Sequence, residues 1–284
     1  MDKKLVIFDI FGTLIDDKMV NDAQIIRNKV LDLNINPSEE DKAKDSHYKI
    51  IQETINNLFY VPEEINIKLI ERSNKERLYK EDWKKVVQTF LFALGFQYLL
   101  NKEDKEKYLI KDVNEVLDHL IQNYNIITLS NVVYPIQDTI VSAYNLPIKY
   151  KAGHAMNLIE DELAKERLGN EKFKKIMILE ENNKYYNLDL SRVIAVVGDD
   201  LIKDGIVAFY LSKKYNKPIM FYHYTGEGSN KTAISYRLED LINEVKNSNL
   251  PKLLNLEQVE KEIKEWYSKN YKQIKNLYEL KKLL

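Results

Sequence analysis

Four short apolar runs interrupt an otherwise polar chain. They are Lys4–Asp9 (KLVIFD), Asn125–Leu129 (NIITL), Val193–Val197 (VIAVV) and Pro218–Tyr222 (PIMFY). Each is rich in β-branched or aromatic residues, and none alternates with polar positions. That is the pattern of strands covered on both faces of a parallel sheet. Helical spacing fills the intervals between them. Val113, Val116, Leu117, Leu120 and Ile121 share a helical face just before the second run, and Ile206, Val207, Tyr210 and Leu211 do so between the third and fourth. Strand alternating with helix predicts βαβ units, hence an α/β fold with a doubly wound, mostly parallel, Rossmann-like sheet.

The long interval between the first two runs shows no convincing strand. Ile25, Ile26, Val30 and Leu33 predict one helix, and Trp83, Val86, Val87, Phe90, Leu91 and Leu94 predict a strongly amphipathic second. Pro62, followed by Glu63 and Glu64, reads as a helix start, with proline in the first turn and acids at the positive end. We therefore expect an all-helical cap subdomain over 17–105 and an α/β core formed by 1–16 plus 106–249. Beyond Asn249 the apolar residues Leu256, Val259, Ile263, Trp266, Ile274 and Leu277 keep a three-to-four spacing, which predicts a C-terminal helical extension over 250–284. Such a face either packs on the core, the simpler expectation, or pairs two chains as a homodimer.

Composition narrows the classes. The 284 residues are 44% hydrophobic and 31% charged, enough apolar material for a sizeable core and too much for a disordered chain. Lys and Arg number 43 against 44 Asp and Glu, so no global field draws the protein to nucleic acid or to an anionic membrane. With no cysteine, disulfide scaffolds, cysteine-ligated zinc and thiol catalysis are excluded. The first apolar run is too short for a signal sequence and no run reaches the ~18 residues of a membrane span. The expectation is a soluble, cytoplasmic protein with no nucleic-acid or membrane partner.

In open α/β sheets ligands gather at the carboxyl ends of strands. After the first run come Asp9, Ile10, Phe11, Gly12 and Thr13, a carboxylate beside a tight turn whose free N–H groups suit an anion. After the second come Ser130 and Asn131, a hydroxyl and an amide able to donate to phosphate or carboxylate oxygens. After the third comes GDDLIKDG, in which Asp199, Asp200 and Asp204 place three carboxylates within six residues. Mutual repulsion in such a cluster is relieved by a cation, and all-oxygen ligands suit Mg²⁺. Taken singly, each segment also has an ordinary reading as a loop cap or a turn. Gly226, Glu227 and Gly228 read as a turn on the carboxyl side of the fourth run. His47, His119, His154 and His223 show no metal-ligand spacing.

In this order and on strands of this type, the segments together resemble the haloacid dehalogenase (HAD) superfamily of hydrolases. FDIFGTLID resembles its first motif, LSN its second and VVGDDLIKDG its acidic fourth. The resemblance implies Asp9 as a nucleophile that forms a covalent ester, with Ser130 and a lysine binding the remaining oxygens of a small phosphorylated substrate. Gly12, Thr13 and Asn131 would line the phosphate site. It implies Mg²⁺ held by Asp9, Asp199, Asp204 and the backbone carbonyl of Phe11, with Asp200 as a further ligand candidate. The insert resembles the family's helical cap, and LEDLINEV (Leu238–Val245) its closing helix. The likeness covers about 1–248 and leaves the tail outside. The third family motif is a lysine. Lys172 and Lys175 open the helical pattern EKFKKIMILEE before the third run; Lys172 is the first choice and Lys151 the second.

One position departs from the family pattern. Family phosphatases carry a second aspartate two residues after the nucleophile, as general acid and base, and here that residue is Phe11. Asp16, Asp17 or a cap residue would have to move the proton instead. An aromatic at this position and the Ser130-Asn131 pair also resemble the metal-independent dehalogenase branch, which lacks the paired acids. The retained acids favour Mg²⁺-dependent phosphoryl hydrolysis. The alternatives are a 2-haloacid dehalogenase-type hydrolase and a weakly active or non-catalytic binding protein. In the insert, Arg72, Arg77 and Lys80 read either as an anion-binding group or as a solvated face.

Overall fold

The apolar runs become the central strands of one sheet. In the computed structural model, which describes residues 3–32, 92–93, 95–154 and 164–284, six strands occur: β1 (Lys4–Phe8), β2 (Tyr124–Val133), β3 (Tyr150–His154), β4 (Val193–Gly198), β5 (Met220–Tyr224) and β6 (Tyr271–Ile274). All pairings are parallel, in the order β3-β2-β1-β4-β5-β6. The chain builds outward from β1 to one side and then crosses to build β4, β5 and β6 on the other. The carboxyl ends of β1 and β4 therefore flank a topological switch point, where open α/β sheets form a crevice.

Side chains of β1 alternate between two cores. Val6 and Phe8 join one apolar cluster, and Leu5 and Ile7 the other. Helices cover both faces, which is why the strands are apolar throughout. The first face carries α1 (Lys18–Asp32), the helical stretch 95–100, α2 (Val113–Leu120) and α3 (Tyr134–Ala143). The second carries α4 (Lys174–Tyr186), α5 (Ile206–Lys214), α6 (Leu238–Lys246) and α7 (Val259–Asn270). Asn145, Asn187 and Asn216 take left-handed backbone angles just beyond α3, α4 and α5, with φ of 51°, 50° and 48°. Asparagine tolerates this conformation better than other non-glycine residues, so it stops a helix cleanly.

The structure extends the expected elements in three places. β2 runs on through Ser130 and Asn131 to Val133, with a register shift against β3 between Leu129 and Val133. β3, with the sequence YKAGH, is too short and polar to stand out in the pattern. The C-terminal extension is not helical throughout. After α7 it forms β6, which pairs with β5 and completes the sheet edge, then a 3₁₀ turn (Leu277–Glu279) and a last short helix (Leu280–Leu283). Ile263, Trp266, Ile274, Leu277 and Leu280 are all buried within the chain. The three-to-four spacing of Ile274 and Leu277 arises where a strand end meets a 3₁₀ turn, and that spacing alone does not separate this from a helix.

Of the 17–105 insert, α1 and residues 95–100 lie against the core through Met19, Ala23, Phe96 and Leu99. The expected helix containing Trp83, the helix start at Pro62 and the basic residues Arg72, Arg77 and Lys80 lie outside the described residues. Among the described residues no helix is long and apolar enough to cross a membrane.

Candidate functional site

Asp9 leaves the carboxyl end of β1, its N–H donating to the Val197 carbonyl of β4 at 2.9 Å. The chain then folds back tightly: the N–H groups of Leu14 and Ile15 both donate to Ile10 O at 2.8 Å, and Gly12 N–H donates to Ile15 O at 2.7 Å. Gly12 sits at φ +77°, and a Cβ there would fall 1.9 Å from Asp199 Oδ2. Only glycine lets the turn pass this close to the next acidic loop.

That loop follows β4. Asp200 caps a π-helical turn (Leu201–Gly205), its Oδ1 accepting from the N–H groups of Ile202 and Lys203 at 2.9 and 3.0 Å. The turn carries Asp204 back toward β1. Gly198 leaves room for it, since a Cβ on Gly198 would stand 2.4 Å from the Asp204 carboxylate. As a result Asp9, Asp199 and Asp204 each bring a carboxylate oxygen within 4.8 Å of the others. All three are buried, at 8%, 3% and 2% exposure, so their charges are poorly screened. Asp200 was a ligand candidate, but its side chain is engaged in the turn and in a 3.2 Å pair with Lys203, and the cluster does not include it.

Among the described residues, one cation meets this cluster directly. Lys175, from the first turn of α4, places Nζ 2.9 Å from Asp9 Oδ1 and 2.5 Å from Asp204 Oδ1, with 2% of its side chain exposed. Burial opposes its charge, but Asp204 and Asp9 outweigh burial and hold the ammonium above the ordinary lysine range. Burial, and then the charges of Asp9 and Asp204, push Asp199 well above the ordinary carboxylate value. Burial also raises Asp204, and Lys175 offsets only part of the rise. Among the described residues, three buried carboxylates thus share a single ammonium, which leaves them short of positive charge.

The two lysines favoured from sequence are placed elsewhere. Lys172 pairs with Glu244, and Lys151 with Asp138 at 2.8 Å. Lys172 lies in a 3₁₀ turn (Glu171–Phe173) that precedes α4 and shifts the helical phase. Lys175 is in phase with buried Ile178 and Leu179, and that phase was the available clue. Ser130 is buried on β2, which runs beside β1 with Thr128 opposite Phe8. Its Oγ accepts weakly from Val132 N–H at 3.4 Å. Thr13 Oγ1 and Asn131 Oδ1 are buried atoms with no hydrogen-bond partner among the described residues. The Phe11 ring packs on Phe96 with centroids 5.3 Å apart, so this position supplies apolar surface against the 95–100 helix.

The loop after β5 adds residues that the strand-end reading passed over. Asn230 N–H donates to Asp199 Oδ2 at 2.7 Å, and its side-chain amide donates to Asp17 Oδ2 at 2.8 Å. Asp17 N–H donates to Gly228 O at 2.9 Å. Burial raises the pKa of Asp17 despite the Asn230 hydrogen bond, and the charges of Asp16 and Asp9 add to the rise. Asp16 instead starts α1, its Oδ1 accepting from Lys18 N–H at 2.8 Å.

No protein-family model matches the chain, and neither does any curated protein sequence. Solved structures do match. The chain is similar in fold to haloacid dehalogenase superfamily hydrolases. A predicted phosphatase from Clostridium acetobutylicum aligns over 100% of this chain and 98% of its own, at 12% identity and a TM-score of 0.49. The HAD-hydrolase YfnB from Bacillus subtilis, bound to magnesium, aligns over 100% and 99%, at 13% identity and a TM-score of 0.45. A haloacid dehalogenase-like family protein, SP0104 from Streptococcus pneumoniae, aligns over 85% and 90%, at 14% identity and a TM-score of 0.42.

Proposed function

We propose that the protein is a Mg²⁺-dependent phosphohydrolase of the HAD type that acts on a small phosphorylated metabolite through Asp9. The observation that carries this reading is the buried trio of Asp9, Asp199 and Asp204 with Lys175 at the switch point of the sheet. The donor set fits the ion. Mg²⁺ takes oxygen ligands at about 2.0–2.1 Å, so two of its ligands stand at most about 4.2 Å apart. The carboxylate oxygens here lie within 4.8 Å, a gap that small side-chain rotations close. Asp9, Asp199 and Asp204 would hold the ion. When bound it would neutralise the carboxylates and the charge that develops on the phosphoryl oxygens.

The chain's own groups then have defined tasks. A carboxylate oxygen of Asp9 attacks phosphorus in line, forming an Asp9 acyl phosphate as the bond to the leaving oxygen breaks. Water then attacks phosphorus, releases inorganic phosphate and regenerates Asp9. Lys175 pairs with Asp9 and fixes it in place. The hydroxyls of Ser130 and Thr13 are donors for the remaining oxygens, and a phosphoryl oxygen would satisfy the unpaired Thr13 hydroxyl. Asp17 takes the proton-transfer role that Phe11 leaves vacant. It is the flanking carboxyl whose pKa is raised, and Asn230 ties it to the Asp199 loop.

Hydrolysis of para-nitrophenyl phosphate, measured in Mg²⁺ and in EDTA with Asp9→Asn as control, tests this reading. Mg²⁺-dependent release that the variant lacks is the expected result. Halide release from 2-haloacids in EDTA would replace it with the dehalogenase alternative, and turnover retained by Asp9→Asn would remove the covalent step.

A further inference from the structure

The C-terminal strand reaches the acidic cluster through two residues outside the site described so far. His223 of β5 is 2% exposed, with Nε2 2.9 Å from the Asp199 carbonyl oxygen and Nδ1 2.9 Å from the Tyr271 hydroxyl at the start of β6. A carbonyl only accepts, so Nε2 must carry a proton. In the neutral ring Nδ1 then accepts from the tyrosine O–H. Packing fixes both partners. Phe221 stacks on His223 at 5.6 Å, and Tyr267 stacks on Tyr271 at 4.1 Å.

The peptide that His223 grips has a second anchor. Its carbonyl belongs to Asp199 and its N–H to Asp200, and that N–H donates to Asp204 Oδ2 at 3.2 Å. A hydrogen bond to the carbonyl polarises the peptide and strengthens its N–H as a donor. It also sets the plane of the peptide, and with it the direction from which the N–H meets Asp204. One peptide unit thus links Asp199 to Asp204, and its orientation is set from β6.

We propose that Tyr271 and His223 are positioning residues that hold the Asp199–Asp200 peptide, and so the Asp199 and Asp204 carboxylates, in the arrangement that binds the divalent cation. The C-terminal extension would then be part of the metal site's support as well as the sheet's edge. The inference rests on the metal-binding reading above.

The test compares wild type with Tyr271→Phe, His223→Gln and His223→Leu. Mg²⁺ affinity of the metal-free proteins is measured by calorimetry. Long-range ¹H–¹⁵N spectra report which imidazole nitrogen is protonated, and circular dichroism checks the fold. The expected spectrum shows the His223 proton on Nε2, with a shift toward the other tautomer in Tyr271→Phe. Mg²⁺ affinity should fall about tenfold to a hundredfold in His223→Leu, as for other residues supporting metal ligands, and by a smaller factor in Tyr271→Phe. His223→Gln keeps a side-chain N–H for the carbonyl and should recover most of the loss, which a purely structural role would not predict. Wild-type affinity in folded Tyr271→Phe and His223→Leu, or a proton found on Nδ1, would overturn the proposal. If His223→Leu fails to fold, Tyr271→Phe, which removes a single oxygen, decides the matter. A wild-type protein that binds no Mg²⁺ would remove the metal reading itself, a result distinct from wild-type binding that neither variant weakens.

Discussion

Replacing Lys175 with methionine deletes one buried positive charge while nearly preserving side-chain volume. The ammonium lies 2.9 Å from Asp9 and 2.5 Å from Asp204. At an effective dielectric near 20 these contacts amount to roughly 6 and 7 kcal/mol of gross attraction. Much of that is offset by the cost of burying the ammonium. Removing one member of a buried ion pair leaves about 3–5 kcal/mol of net loss, because the remaining charge is buried and uncompensated. For a chain of this size about 2 °C in Tm accompanies each kcal/mol, so metal-free Lys175→Met should melt about 6–10 °C below wild type. Mg²⁺ would compensate the same carboxylates, so its addition should raise Tm more in the variant than in wild type. Differential scanning calorimetry in EDTA and in saturating Mg²⁺ measures both effects. A metal-free loss under about 2 °C, or a Mg²⁺-induced rise no larger than in wild type, would refute the charge bookkeeping.

Further outcomes follow from neighbouring features. Gly12→Ala puts a methyl group 1.9 Å from Asp199 Oδ2 on a backbone at φ +77°; it should cost about 1–2 kcal/mol in backbone strain alone and weaken Mg²⁺ binding, both measurable by melting with and without the ion. Asp17→Asn should slow hydrolysis of alkyl phosphates, whose leaving groups need a proton, by about a hundredfold or more, yet barely slow para-nitrophenyl phosphate. Equal losses on both substrates would remove Asp17 as the acid that protonates the leaving group. A carboxyl whose folded pKa is raised contributes stability below its unfolded pKa and loses it as pH rises through the folded value. For Asp204 that window runs from the ordinary 3.8 to about 7. The Tm gain on adding Mg²⁺ should therefore grow with pH across this window and be smaller in Asp204→Asn. A gain independent of pH would show that the cluster is not the binding site.

The central strands were legible because burial on both faces demands an unbroken apolar run, and Val6, Ile7 and Phe8 meet that demand with no exposed surface. The acidic residues at the strand ends were legible for the complementary reason, since carboxylates directly after such runs have no place in a core. Edge strands obey weaker constraints. β3 contains a lysine and a glycine, and two of the four residues of β6 are exposed, so neither carries a periodic pattern of its own. Lys172 and Lys175 stand three residues apart in one lysine-rich stretch, so residue type does not tell which of them meets the acidic cluster. Their difference depends on where a 3₁₀ turn gives way to α4, a boundary set by tertiary packing. Asn230 meets Asp199 through its backbone N–H, a contact that leaves no mark on residue type, and the imidazole of His223 meets the Asp199 backbone carbonyl, a partner that no motif spacing reveals.

The most direct test of the account is to trap the covalent intermediate. The protein is mixed with para-nitrophenyl phosphate and Mg²⁺, quenched in acid during turnover, digested and analysed by mass spectrometry. The account predicts one added phosphoryl group on the peptide that contains Asp9, absent in EDTA and in Asp9→Asn. Steady turnover with the Asp9 peptide unmodified, or the phosphoryl group found on another residue, would contradict it.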